Sequence, residues 1–260
     1  MSRLSIAIIV SLLIGTLGVI ASLVPMGIAL EENIGLGLLF RLRGARKPPS
    51  DVIIVSLDKI SANNFKLPVN PEKWPRSFHA NITEYLVKQG AAVIIFDMIF
   101  KEPGSIEHDN WFARAIGNAG NVVLCVRLKK EVFSLINKAG KHTGELIVER
   151  LVPPIPSLER SALALAPFPL PKVPVKVSQY WTFKAEAGDA PTLPVAAFHV
   201  FTFGVYDEFI RLLEKVAPSK AEKILHDRDA IISNRWIEES ILILRDLFKE
   251  NPLIGKKMIS

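Results

Sequence analysis

Two aspartates carry the chemistry that stands out in this chain of 260 residues. Asp58 closes the run Val52-Ile-Ile-Val-Ser-Leu, and Asp97 closes Ala91-Ala-Val-Ile-Ile-Phe. Short β-branched and aliphatic runs of this kind read as buried strands. The carboxyl ends of consecutive parallel strands are where open α/β sheets form their ligand crevice. Two carboxylates facing one pocket would suit a cation, a ligand amine or hydroxyl, or metal-assisted hydrolysis. The competing reading is that each aspartate caps the following turn or pairs with a base such as Arg76. Trp74, Pro75 and Arg76 form a compact signature at a predicted helix start, where the guanidinium can bind an anion or pair with Asp58 or Asp97. The candidate ligand-binding residues are therefore Asp58, Trp74, Arg76 and Asp97, with no catalytic residue, metal ligand or cofactor assigned.

The remaining reactive residue types form no pattern. The five histidines, His79, His108, His142, His199 and His226, include no i, i+4 pair with a supporting carboxylate, so they read as surface or core residues. Gly35-Leu-Gly37 lacks the preceding strand and third glycine of a dinucleotide loop. Cys125, the single cysteine, excludes a disulfide framework and lies inside a third strand pattern, Val122–Val126, where inert burial is the default. No nucleophile-elbow, Walker or kinase signature is present.

The elements that would position the aspartates follow from periodicity. After Asp58 comes a polar loop with Asn63, Asn64, Pro68, Asn70 and Pro71. A helix opened by Pro75 then carries Phe78, Ile82, Tyr85 and Leu86 on one face, with Gly90 as its stop. The second strand spans 91–96. Asp109 can cap a further helix with Trp111, Phe112, Ala115 and Ile116 on its apolar face, ending at Gly120 before the third strand. Strand, helix, strand, helix, strand predicts an α/β layered domain, a parallel-type sheet with flanking helices. Nine of the eighteen prolines fall from Pro153 to Pro194, so residues 153–174 read as an irregular or edge-hugging connection and 175–183 as an extended segment. Helical periodicity returns from Val195.

Ahead of this domain, Leu4 to Leu30 contains no charged residue in 27 positions, enough to cross a bilayer as a helix. It is long for a cleaved signal, although Gly27 and Ala29 could serve a cleavage site. The chain thus predicts one N-terminal transmembrane helix or signal anchor over 1–30, a basic juxtamembrane linker over 31–50 and a folded domain over 51–260. The net charge of +6 falls to +1 once Arg3, Arg41, Arg43, Arg46 and Lys47 beside the apolar stretch are set aside. That distribution argues against nucleic acid as a partner and for a membrane. Lysine and arginine counts do not settle orientation, because a large folded domain translocates largely regardless of charge.

The pieces Phe40-Arg-Leu-Arg-Gly-Ala-Arg-Lys-Pro-Pro, Val52-Ile-Ile-Val-Ser-Leu-Asp58, Trp74-Pro-Arg-Ser-Phe-His-Ala, Ala91-Ala-Val-Ile-Ile-Phe-Asp97-Met-Ile-Phe100 and Asn121-Val-Val-Leu, in this order, together resemble the second class of CHASE domains. These are extracytoplasmic sensory domains of bacterial signalling proteins. The likeness covers residues 36–128, and Leu193-Pro-Val-Ala-Ala more loosely. It implies a domain outside the cytoplasm, in the periplasm or its equivalent. Such a domain binds an unknown small-molecule or environmental signal and relays it to a cyclase, a diguanylate cyclase or a protein kinase. Where that family often carries Asp-x-Asp-Gly-x-x-Arg, this chain has Ala187-Gly-Asp-Ala-Pro-Thr192. After Trp236 no apolar run reaches membrane-spanning length, so a fragment, or a sensor signalling through a homodimer or a membrane partner, is expected. The alternative is a membrane-tethered, metal-dependent hydrolase using Asp58 and Asp97.

Overall fold

A computed structural model describes residues 3–24, 34–138, 140–170 and 179–259. The chain divides into two compact units. One comprises Met1–Ser56 with Leu170–Tyr180, the other Leu57–Pro169 with Trp181–Ser260.

In the first unit, helix α1 (Arg3–Leu23) carries no charged residue after Arg3. Its segment Arg3–Ile20 has a mean hydropathy of 2.2 and is not buried against the protein, so its length and composition suit a membrane crossing. Helix α2 (Leu36–Arg43) ends in Arg41 and Arg43, and the Arg43 guanidinium lies 4.6 Å from the Phe40 ring centroid. The strand expected over Val52–Leu57 does not form. Ile53 and Ile54 are 83% and 86% exposed, and the run pairs with no strand among the described residues. A strand exists only through its ladder, and side-chain preference alone does not supply one.

The second unit begins at Leu57. Helix α3 (Lys59–Phe65) and a 3-10 turn at Pro71–Lys73 lead into helix α4 (Arg76–Lys88). Strand β1 (Ile94–Ile99), helix α5 (Ile106–Ala119) and strand β2 (Val122–Ile136) follow. The cap of α5 is Ser105, whose Oγ accepts the His108 N–H, in place of the expected Asp109. Gly120 closes α5 at φ 65°, a left-handed position that favours glycine. Strand β2 pairs parallel with β1, in the register Ile94↔Val122 and Phe96↔Leu124. It also pairs parallel with β4 (Ala164–Pro167), in the register Val123↔Ala164 and Cys125↔Ala166.

The sheet places β2 between β1 and β4, with helices on both faces. Alternation sorts the cores. Phe96, Val122 and Leu124 pack with Phe100, Phe112, Ile116 and Leu158 on one face, and Val123, Cys125, Ala164 and Ala166 belong to the core of the other. The second core is built by helices α6 (Leu193–Phe201), α7 (Tyr206–Val216), α8 (Arg228–Asn234), α9 (Ile237–Glu250) and α10 (Pro252–Ile259).

Two features depart from expectation. Beyond Val126, β2 continues for ten residues and pairs antiparallel with β3 (His142–Val152), a hairpin not anticipated from periodicity. The proline-rich stretch contains a helical turn (Pro156–Glu159) and β4, a strand at the edge of the sheet. Pro167 is tolerated as the last residue of that edge strand, where a missing N–H costs least. The short strands β5 (Phe183–Lys184) and β6 (Ala190–Pro191) pair antiparallel. Residues 175–178 of the expected extended segment lie outside the described residues.

Candidate functional site

At the carboxyl ends of β1 and β4, beside residues 125–128 of β2, lies a crevice of about 290 Å³, lined among others by Glu72, Asp97, Met98, Cys125, Arg127 and Phe168. Each side chain arrives by a simple rule. Cys125 and Arg127 are two apart on β2 and so share a face, and Phe168 follows Ala166, the partner of Cys125. Asp97 sits within β1, at a register shift between Phe96 and Ile99. Such irregularities re-aim side chains and recur next to sites. The sequence placed Asp97 just past the strand, so its chemistry was visible but the bulge was not.

Burial pushes the Asp97 carboxyl above the ordinary range, and a hydrogen bond from the Cys125 thiol opposes that rise. Burial, followed by the negative charge of Asp97, pushes the thiol itself up to about 11. Cys125 is therefore a neutral donor at pH 7, without the thiolate character that nucleophilic attack needs. Glu72 Oε1 accepts the Ile99 N–H at 3.3 Å, which ties the turn before α4 to the end of β1.

The other candidate residues do not line this crevice. Arg76 is 4% exposed. It donates from Nη1 to the Glu72 carbonyl (2.8 Å) and from Nη2 to the Glu102 carbonyl (3.2 Å), with its guanidinium 4.5 Å from the Phe100 centroid. Its Nε lies 3.7 Å from Asp109 Oδ1, an ion pair too long for a hydrogen bond, which leaves both atoms without a hydrogen-bond partner among the described residues. Burial lowers the Arg76 pKa, opposed by Asp109 and Glu72. Trp74 is buried and donates from Nε1 to the Pro68 carbonyl at 2.6 Å. Asp58 caps α3: its Oδ1 accepts the Ser61 N–H and hydroxyl, both at 2.9 Å, and those bonds hold its carboxyl below the ordinary range. Of the four candidates, Asp97 alone lines the crevice, while Arg76 reaches it through the backbone of Glu72.

Asp58 and Asp97, the pair on which a metal-assisted hydrolysis would rely, are not brought to that one pocket. Among the described residues no group of three or more His, Cys, Asp or Glu is placed to hold a metal ion. Arg127 and Phe168 escaped sequence reasoning because only strand register brings them to the crevice, and Glu72 because only the bond from the Ile99 N–H ties its turn to β1. The signal that could have found Arg127 was its two-residue spacing from Cys125.

A mixed α/β sheet with flanking helices, whose parallel strands β1, β2 and β4 border a crevice, places the chain in the class of layered α/β domains. Within that class the chain belongs to the CHASE2 family, whose model matches residues 9–233. CHASE2 domains are sensory domains of signalling proteins, and the family is extracytoplasmic rather than catalytic. No curated protein and no solved structure matches the chain.

Proposed function

We propose that this protein is a membrane-anchored sensor that binds a small signal molecule in the crevice bordered by the ends of β1 and β4 and by residues 125–128 of β2, and performs no turnover. Helix α1 holds it in the membrane, residues 31–260 face the extracytoplasmic side, and occupancy of the crevice biases a conformational or dimer equilibrium that a signalling partner reads. The carrying observation is the placement of Asp97, a partly desolvated carboxyl at the mouth of a cavity on a parallel sheet. Asp58, Trp74 and Arg76 serve by fixing α3, the turn before α4 and Glu72 around it.

The test is a thermal-shift screen of the full chain in detergent against sugars, amino acids, amines, carboxylates and nucleosides, run beside Asp97→Asn. A compound that raises the wild-type Tm by several degrees and loses that effect in the variant supports the crevice. Compounds that stabilise both proteins equally would place binding elsewhere and overturn it.

A further inference from the structure

The crevice carries two opposite charges that do not neutralise each other. Asp97 enters no ion pair among the described residues, and the Cys125 thiol beside it donates to the Val126 carbonyl at 3.7 Å. Arg127, on the same face of β2 as Cys125, has no side-chain partner among them. The two line one cavity and form no salt bridge with each other. Glu72, beside Asp97, adds a second negative charge whose oxygen already serves the Ile99 N–H. Apolar lining is contributed by Phe168, which packs against the same core as Cys125. The cavity, about 290 Å³, lies at the foot of the ~300–1,000 Å³ range of ligand pockets, a size for a metabolite rather than an extended chain.

We infer that the ligand is a small zwitterion with an apolar body, an α-amino acid with an aliphatic, thioether or aromatic side chain. Its ammonium sits at Asp97 within the field of Glu72, its carboxylate meets the fork of Arg127, and its side chain lies against Phe168. A guanidinium presents paired donors that match a carboxylate, and a partly desolvated carboxylate holds an ammonium more strongly than an exposed one. A ligand bearing only one of the two charges would leave the opposite group on the crevice unmatched. This ligand class rests on the sensor reading above.

The test titrates the full chain in detergent with L-leucine, L-methionine and L-phenylalanine, and with two fragments of leucine, 3-methylbutan-1-amine and 4-methylpentanoate, by calorimetry and thermal shift. At least one amino acid is expected to bind, with each fragment at least ~10-fold weaker. Arg127→Gln and Asp97→Asn should each weaken that amino acid by a similar factor while leaving the ligand-free Tm unchanged. Equal binding of 3-methylbutan-1-amine and leucine, with Arg127→Gln silent, would overturn the zwitterion and leave a cation crevice. Silence of all five probes, while some other compound stabilises the protein in an Asp97-dependent way, would overturn the amino-acid class and leave the sensor crevice standing. Amino-acid binding untouched by both variants would overturn the crevice reading as well.

Discussion

Buried charge is where single residues of this protein matter most. Replacing Arg76 by Met leaves Asp109, which also accepts the Gly104 N–H at 2.8 Å, as an unpaired buried carboxylate. The expected loss is about 3–5 kcal/mol in urea denaturation, and the double variant Arg76→Met/Asp109→Leu should recover a large part of it. Two histidines make a different demand. His79 is fully buried among Phe96, Phe100 and Phe112 with both ring nitrogens unpartnered among the described residues, and His199 meets Ser240 Oγ at 2.7 Å. Burial brings both down to about 4, and the positive charge of Arg76 further depresses His79. The unfolded chain therefore binds more protons than the folded one between pH 6.5 and 4. Stability is full above pH 6.5 and falls by up to about 1.4 kcal/mol per pH unit per histidine as pH drops through that window. Tm measured from pH 7.5 to 4.5 should show this fall, and His79→Leu should flatten it; a flat wild-type profile would refute the neutral burial of both rings.

At the scale of elements, β2 is two strands in one. Its first half is enclosed by helices on both faces, whereas its second half, paired only with β3, exposes Val132, Phe133, Leu135 and Ile136. Leu124→Ala should cost about 2–5 kcal/mol, because a fully buried side chain leaves a cavity. Phe133→Ser, at a position 50% exposed, should stay within about 0.5 kcal/mol. Equal losses from the two would show that the hairpin is covered in solution. Alternation and turn residues made β1, α4, α5 and the first half of β2 legible in advance. The hairpin was not legible, because its strands carry apolar residues on both faces and Gly140 was the only cue between them. The run Val52–Leu57 shows the opposite failure: strong β-preference with no ladder in the structure.

For the whole molecule, the anchor and the sensor domain make one prediction about sidedness. Alkaline phosphatase fused after Ser260 should be active, and a fluorescent protein that matures only in the cytoplasm should be dark at the same position. The reverse pattern would put residues 31–260 in the cytoplasm and remove the extracytoplasmic sensor from consideration. Deleting α1 should release the protein from the membrane fraction, since Arg3–Ile20 is the one candidate crossing among the described residues.

What the sequence alone determined is local and compositional. An uncharged run of 27 residues suits a bilayer whatever follows it, and alternating apolar residues bury where a sheet is covered. The family could also be recognised from the order of such pieces. Tertiary structure decided which of the acids share a cavity. Asp58 turned inward to its own helix N-terminus and Arg76 was locked between two carbonyls, Asp109 and Phe100. Asp97 was joined by Glu72, Arg127 and Phe168, from three other segments of the chain. The physical reason is register: which strand residues stand side by side depends on pairing between distant segments, and periodicity within one segment carries no information about it.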